Sequence, residues 1–225
     1  AVVAADTREH ARAAAAKVKV EIEPLPEYLN YLDAVMPDAM RIQEDTPNIF
    51  IQQPVFKGAE NVAEIIEKSA YNVEASCYTT REPHLSIEGD TVQGYWDEDD
   101  VLTIHCKSQA VYNAVNDLSV ALGLPTNKIR IVMNHTGGSF GWSTNAASFA
   151  LVGAAVMATG MPVTLTMSYE EHMHFSGKRC PSYSNGRLAC DENGKITAAE
   201  FEFGLDHGPY QEDEWVAERP GRFVF

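Results

Sequence analysis

The chain has 225 residues, of which 45% are hydrophobic and 22% charged, a balance typical of a globular protein with a sizeable core in one domain or two. Its 32 acidic residues outnumber its 17 basic ones, so the formal net charge is −15. Such a field repels nucleic-acid phosphates and anionic membrane surfaces, which argues against both as partners. No apolar run reaches the roughly 18 residues that a membrane span needs. The first residues contain no basic segment of the signal-peptide kind, so we expect a soluble, cytoplasmic protein.

The four cysteines (Cys77, Cys106, Cys180 and Cys190) are widely spaced and form no C-x-x-C pair. This spacing argues against a zinc ribbon and against an iron–sulfur site within the chain. Buried free thiols are therefore a better interpretation than disulfides, because nothing else in the chain is secretory in character.

The first third of the chain is irregular. Alanines and a capping residue, Asp6 or Thr7, predict a helix over 8–17. Alternating apolar and charged residues predict a half-buried strand over 18–23, which ends at Pro24. A short helix is expected over 28–35, followed by a proline-punctuated linker over 36–54.

Strands and helices alternate from residue 71 onward. Strands are predicted over 71–78, 91–96, 101–106, 128–133, 163–167, 188–190 and 196–203, and helices over 109–122 and 146–159. The acidic run 97–100 is interpreted as a solvated hairpin tip rather than a metal site, and Asn193-Gly194 as a hairpin turn. The pattern predicts an α+β fold with helices packed on mixed sheets and a boundary between about residues 36 and 61.

A glycine-rich segment, N-H-T-G-G-S-F-G-W over 134–142, lies between a predicted strand and a predicted helix. We call it the glycine loop. Glycine permits positive φ angles and close approach of the backbone to a ligand, so successive N–H groups can form an anion pocket here. A tight turn before a helix is an equally good interpretation of the glycines alone.

Two further features are ambiguous by themselves. His172-x-His174 would place two imidazoles on one face of a strand as metal ligands, but no third ligand stands at a telling spacing. Gln109 begins a helix directly after a strand, where its amide can donate to an oxygen held in front of the glycine loop. No nucleophile elbow or other local sign of a catalytic triad is present.

Taken together, the segments resemble the molybdenum-binding subunit of the xanthine dehydrogenase/aldehyde oxidoreductase family, the molybdenum hydroxylases, over nearly the whole chain. The segments that carry the resemblance are Glu82-Pro83-His84, Ile87-Glu88, Lys107-Ser108-Gln109, Thr136-Gly137-Gly138-Ser139-Phe140-Gly141, Gly160-Met161-Pro162-Val163, Gly177-Lys178-Arg179 and Asp206-His207-Gly208-Pro209-Tyr210. The last segment is similar to that of bacterial aldehyde oxidoreductases. The resemblance implies a molybdopterin-binding domain, with residues 1–45 as the end of a preceding small α/β domain plus linker and 46–225 as its first part.

The resemblance also implies a site. The cofactor-binding residues would be Gln109, Gly137, Gly138, Ser139, Phe140 and Gly141. The protein would supply no direct ligand to molybdenum, and Trp142 and Thr144 would belong to the substrate pocket. Purine-oxidising members carry a lysine and a glutamate where this chain has Ser143 and Thr144, so a neutral aldehyde is favoured over a purine.

The resemblance finally implies a reaction and the parts it needs. A molybdopterin, often the cytosine dinucleotide in bacteria, would hydroxylate an aldehyde or an N-heterocycle with water, and electrons would pass to iron–sulfur clusters, and to FAD where present, on parts or subunits outside this chain. The general-base glutamate is expected beyond residue 225, so we expect no catalytic residue here, an inactive isolated chain and a homo-oligomeric parent enzyme. The alternatives are a cofactor-free binding or interaction module, and one polypeptide of a split multi-subunit dehydrogenase.

Overall fold

The computed structural model describes residues 1–49, 54–58 and 61–208. The chain divides into two compact units, the first formed by Ala1–Glu23 and Pro83–Lys178 and the second by the remaining residues. The division into domains at residue 45 stays a prediction. Part of the predicted linker, 50–53, and Pro209 and Tyr210 of the segment that begins at Asp206 lie outside the described residues.

The regular elements confirm the α+β class. The helices are α1 (Arg8–Ala15), α2 (Tyr31–Ala34), α3 (Val62–Lys68), α4 (Val111–Leu122), α5 (Ala147–Thr159) and α6 (Tyr169–Phe175). The strands are β1 (Tyr71–Thr79), β2 (Glu82–Pro83), β3 (Thr91–Trp96), β4 (Leu102–Cys106), β5 (Ile129–Met133), β6 (Val163–Thr166), β7 (Lys178–Arg179), β8 (Ser182–Cys190) and β9 (Ile196–Leu205). Among the described residues no helix combines the length and apolarity needed to cross a bilayer.

The first unit contains a four-stranded mixed sheet in the order β5-β4-β3-β6. β3 is antiparallel to β4 and to β6, whereas β4 is parallel to β5 and is joined to it through helix α4. The acidic segment is a hairpin tip, as predicted, because Asp97 accepts hydrogen bonds from the N–H groups of Asp99 and Val101. Strand β5 lies at one edge of this sheet, and the glycine loop follows it directly.

Helix α5 packs against this sheet at close range. An added Cβ at Gly94 on β3 would lie 2.8 Å from Val152 Cγ1 and 2.9 Å from Ile104 Cδ1. Only a glycine lets α5 approach so closely there. The buried core around this contact consists of Val92, Leu102, Ile104, Cys106, Ala114, Leu118, Ile129, Ala146, Phe149, Val152 and Val156. The helix that follows the glycine loop is thus fixed to the sheet that precedes it.

The second unit contains an antiparallel sheet in the order β1-β8-β9. The predicted Asn-Gly turn joins β8 to β9, with Gly194 at φ +80°. Helix α3 packs against β8 and β9. The alternation predicted for β1 is not reflected in burial, since all nine residues of the strand are exposed.

Two segments predicted as strands have a different structure. Residues 18–23 form no strand; Val20 and Ile22 are 72% and 79% exposed, and a strand needs a neighbour for its backbone hydrogen bonds whatever its side-chain pattern. The segment around His172 is helix α6 rather than a strand. Its N-terminus is defined by a capping box in which Ser168 and Glu171 satisfy each other's backbone N–H groups.

Candidate functional site

The glycine loop joins β5 to α5 with an unusual backbone. Gly138, Phe140 and Gly141 have positive φ angles of 104°, 54° and 101°. For phenylalanine this conformation is strained, and its side chain is nevertheless 62% exposed rather than buried in a core. A strained, exposed aromatic residue between two glycines is a feature of ligand sites rather than of plain turns.

The loop offers unpaired backbone donors. Within the described part of the chain, the N–H groups of Gly138, Ser139 and Gly141 have no acceptor. The N–H of Gly137 differs, because it donates to the carboxylate of Glu88. The absence of a side chain at Gly137 also lets Glu88 pack closely against the loop, since a Cβ added at Gly137 would lie 3.0 Å from Glu88 Cβ. The donors available to a ligand are therefore concentrated after Gly137.

The structure brings Gln109 to the loop. The Ser139 hydroxyl donates to Gln109 Oε1 at 2.6 Å and accepts from the Ser143 N–H at 2.8 Å. The Gln109 N–H in turn donates to the Ser143 carbonyl at 3.0 Å. This arrangement occupies the amide oxygen of Gln109, whereas its amide nitrogen donates to no described residue. Gln109 is exposed, so that nitrogen is available to a ligand.

The two residues expected in a substrate pocket have different environments. Thr144 is exposed, and its hydroxyl donates to the Gly141 carbonyl at 2.7 Å. Trp142 is only 7% exposed; its indole Nε1 donates to Asp90 Oδ2 at 2.8 Å, and its ring meets that of Phe175 edge-on. Trp142 thus packs beneath the loop, and the role of either residue toward a substrate stays a prediction.

A buried polar cluster formed by Ser86, Asp90, Lys107 and His172 lies under the loop. Each of these residues is at most 5% exposed. Lys107 Nζ donates to the Ser86 hydroxyl at 3.3 Å and to the Glu88 carbonyl, and it lies 3.5 Å from Asp90 Oδ1. All three donors of the ammonium are therefore directed at oxygen atoms, as a buried charge requires.

The sequence contains one sign of this cluster. Lys107 directly follows the buried strand Leu102–Cys106, and a lysine in such a position needs a buried partner. No motif or spacing in the sequence identifies Asp90, Ser86 or His172 as the other members of the cluster.

His172 is the neutral member of the buried polar cluster. The Ser86 hydroxyl donates to Glu88, so it accepts from His172 Nε2 at 3.3 Å, and Nδ1 is then the unprotonated nitrogen. Nδ1 lies 3.9 Å from Asp90 Oδ1 and has no hydrogen-bond partner among the described residues. Burial lowers the pKa of His172, and Asp90 only partly opposes this shift.

The predicted histidine pair is not assembled by the fold. His172 is buried and His174 is exposed, because residues two apart on a helix do not share a face. The described residues contain no group of three or more His, Cys, Asp or Glu side chains that could hold a metal ion.

The cysteines are free thiols, but only Cys106 is buried. Burial, and secondarily the charge of Asp90, raise the pKa of Cys106 to about 12. Its thiol therefore stays protonated near neutral pH and is no nucleophile.

We expect His172 to make the stability of the protein depend on pH. Its pKa is lower in the folded than in the unfolded state, so the unfolded chain takes up this proton first as the pH falls. The stabilising contribution is present above the ordinary pKa of 6.5 and is lost as the pH falls toward the folded value. Urea unfolding measures the free energy of unfolding at pH 7.5 and at pH 5.5. Between these two values His172→Asn should lose less of this free energy than wild type. His174→Asn, on the same helix but exposed, is the control; an equal effect of both variants would contradict the assignment.

The arrangement fits a ligand that presents hydrogen-bond acceptors to the loop. It combines three backbone donors, one side-chain amide and an exposed aromatic ring, all supported by buried contacts. Such preorganised donors stabilise negative charge on bound oxygen atoms.

Comparison with known proteins identifies the family of this chain. A family model described as the molybdopterin cofactor-binding domain matches residues 42–224. The aldehyde oxidoreductase of Megalodesulfovibrio gigas is 39% identical over 94% of this chain, which covers 23% of that protein. The nicotinate dehydrogenase large molybdopterin subunit of Eubacterium barkeri is 28% identical over 93% of the chain, which covers 49% of that subunit.

The fold agrees with that of a solved relative. The structure of the aldehyde oxidoreductase of Desulfovibrio desulfuricans matches 92% of this chain with a TM-score of 0.83 and 43% sequence identity. The chain spans 23% of that protein, so most of the relative lies outside the part compared here.

Proposed function

Because the chain belongs to the family of molybdopterin cofactor-binding domains, we propose that Gln109 and residues Gly137–Gly141 line one edge of a molybdopterin that carries molybdenum. The observation that supports this proposal is the set of N–H groups at Gly138, Ser139 and Gly141 that have no acceptor among the described residues. They are fixed donors beside an exposed Phe140, and oxygen-rich cofactors need such donors. The chain contributes contacts around the cofactor and no direct metal ligand.

Oxidation of an aldehyde is the activity that we propose for the protein containing this domain. When bound, the cofactor supplies two-electron oxidation with water as the oxygen source, so an aldehyde and water give a carboxylic acid, two protons and two electrons. The protein positions the reactants around it. The 39% identity to an aldehyde oxidoreductase supports this choice of substrate.

The residues after Phe140 also favour an uncharged substrate. Ser143 is buried and Thr144 bonds the Gly141 carbonyl, so neither position provides the charge expected in a purine-oxidising enzyme. The nearest carboxylate described at the loop, that of Glu88, is occupied by the Gly137 N–H. An N-heterocycle is the second candidate, because one relative is named a nicotinate dehydrogenase subunit.

The proposal extends to parts outside this chain. The chain covers 23% of one relative and 49% of another that is itself named a subunit. We propose that the general-base glutamate, the iron–sulfur clusters and any FAD belong to other domains or subunits, and that the complete enzyme is a homo-oligomer. The cofactor is proposed in its cytosine dinucleotide form.

Cofactor content of the complete protein tests the proposal. The protein that contains this chain would be purified from a host that synthesises molybdopterin, with molybdenum measured by mass spectrometry and pterin by fluorescence after oxidation. We expect both in equal amounts, together with aldehyde-dependent dye reduction. A folded protein without molybdenum and pterin would instead favour a cofactor-free interaction module.

The variant Gly138→Ala should retain about fivefold less cofactor. Its φ of 104° costs a residue with a Cβ about 1 kcal/mol, so the loop relaxes and must be strained again to bind. Space is not the obstacle, since the added Cβ would have no neighbour closer than 3.6 Å. Gly123→Ala is the matched control, because Gly123 also has a positive φ, 68°, but caps helix α4. Equal cofactor loss in both variants would show that general destabilisation is responsible.

A further inference from the structure

The buried polar cluster has a geometry that the proposed cofactor contacts do not explain. We propose that the Asp90–Lys107 pair is the common anchor that positions Gln109 and the glycine loop relative to each other. Asp90 and Lys107 are thus positioning residues, which act through the loop without contacting the cofactor. The relevance of this role to catalysis rests on the proposed function, whereas the anchoring itself does not.

The pair controls the far end of the loop through Trp142. This residue directly follows Gly141, and its indole N–H donates to one oxygen of Asp90 while Lys107 lies beside the other oxygen. With a different partner on each oxygen, the carboxylate has one favoured orientation. Trp142 is also fixed by the edge-on ring contact with Phe175, at a centroid distance of 6.0 Å. A displacement of Asp90 therefore displaces the residue that ends the loop.

The pair controls the near end of the loop through Glu88. The ammonium of Lys107 donates to the Glu88 carbonyl, and the Ser86 hydroxyl donates to the same oxygen at 2.9 Å. Glu88 in turn accepts from the Gly137 N–H through its carboxylate and donates its own N–H to the Gly137 carbonyl. Both ends of the segment 137–142 are thus connected to the same ion pair.

Gln109 is connected to the pair by the shortest route. Lys107 precedes it by two residues and is 5% exposed, so fixing the ammonium fixes the end of β4. The hydroxyl of Ser108 and the N–H of Gln109 both donate to the Ser143 carbonyl, at 3.4 and 3.0 Å. The side chain of Gln109 and the donors of the loop therefore share one rigid support.

The alternative to a positioning role is a purely structural one, in which the cluster fills the core with polar groups that are hydrogen-bonded to one another. A buried ion pair is weak evidence for stability by itself, since desolvation offsets the Coulomb attraction. A positioning role makes a different prediction: disturbing the pair should speed exchange of the amides that hold Gln109 and the loop together more than it speeds exchange in the rest of the first unit.

Hydrogen exchange of backbone amides in the cofactor-free chain distinguishes these roles. Asp90→Asn weakens the pairing with Lys107, and Trp142→Phe removes the indole N–H while keeping an aromatic ring. We expect both variants to speed exchange of the Gln109 and Ser143 amides about tenfold, the equivalent of one lost hydrogen bond. Asp97→Asn is the matched control, because Asp97 and Asp90 flank β3 at opposite ends and Asp97 serves the β3–β4 turn.

The outcomes separate anchoring from general stability. Faster exchange at Gln109 and Ser143 in Trp142→Phe, with no such change in Asp97→Asn, supports the anchor even where Asp90→Asn fails to fold. Unchanged exchange of the Gln109 and Ser143 amides in Trp142→Phe, or equal acceleration in Asp97→Asn, would overturn it. In the complete protein, Trp142→Phe should also retain less cofactor than Asp97→Asn. If wild type holds no cofactor, the proposed function fails, and the exchange result still decides whether the pair is an anchor.

Discussion

Replacing Lys107 with methionine is expected to lower the free energy of unfolding by about 3–5 kcal/mol. The substitution keeps the length of the buried stem but removes the cation that faces Asp90, and the carboxylate is left buried at 4% exposure without a countercharge. The Glu88 carbonyl and the Ser86 hydroxyl lose a donor as well. Urea unfolding followed by far-UV circular dichroism measures the change.

Two comparisons make the Lys107→Met result specific. Lys68→Met removes a lysine from an ion pair with Glu64 on the surface, and it should change stability little because water already solvates both groups. The double variant Lys107→Met/Asp90→Asn should lose less than the sum of the single variants, since the second change removes the uncompensated charge. A Lys107→Met variant as stable as Lys68→Met would refute the buried pairing.

Replacing Gln109 with leucine in the complete enzyme is expected to lower kcat about tenfold with little change in KM. The amide nitrogen of Gln109 is the side-chain donor that the loop leaves available, and one hydrogen bond made mainly in the transition state has about this effect on rate. Leucine matches the size of the side chain but donates nothing. Steady-state oxidation of an aldehyde, followed with an artificial electron acceptor, gives both constants.

A control is needed because Gln109 also accepts from Ser139, and its loss can disturb the loop. Gln93→Leu makes the same change at an exposed position on β3 and should leave both constants unchanged. Comparison of cofactor content separates a loosened loop from a missing donor. If Gln109→Leu keeps full cofactor and full kcat, Gln109 has no role in turnover.

The elements that surround the site could be predicted because their signals are local. Apolar residues at helical spacing, followed by Gly123 in a left-handed cap, defined α4, and alanine-rich sequence defined α5. Since the strand Ile129–Met133 immediately precedes the loop, the position of the glycines between strand and helix followed directly. Gln109 lies at the loop, in contact with Ser139, whereas its role toward a cofactor stays a prediction.

The support beneath the site could not be predicted because it is assembled from distant parts of the chain. Ser86 and Asp90 lie in the segment between β2 and β3, Lys107 follows β4, and His172 lies on α6. No spacing rule relates these three segments. Alternation of apolar and charged residues predicts a strand only where a neighbouring strand is available for hydrogen bonding. Residues 18–23 alternate in this way but pair with no strand among the described residues. The helix that carries His172 has a local signal, the capping box of Ser168 and Glu171, but the two histidines that follow also fit the alternation of a strand.

The left-handed residues of the glycine loop restrict how its length can change. Positive φ angles occur at 138, 140 and 141, and two of these three positions are glycines. Inserting or deleting one residue before Gly138 would shift a side chain with a Cβ into a position that is now a glycine with a positive φ angle. Substitutions at fixed length are therefore compatible with this backbone, whereas changes of loop length would disrupt the donors and their support together.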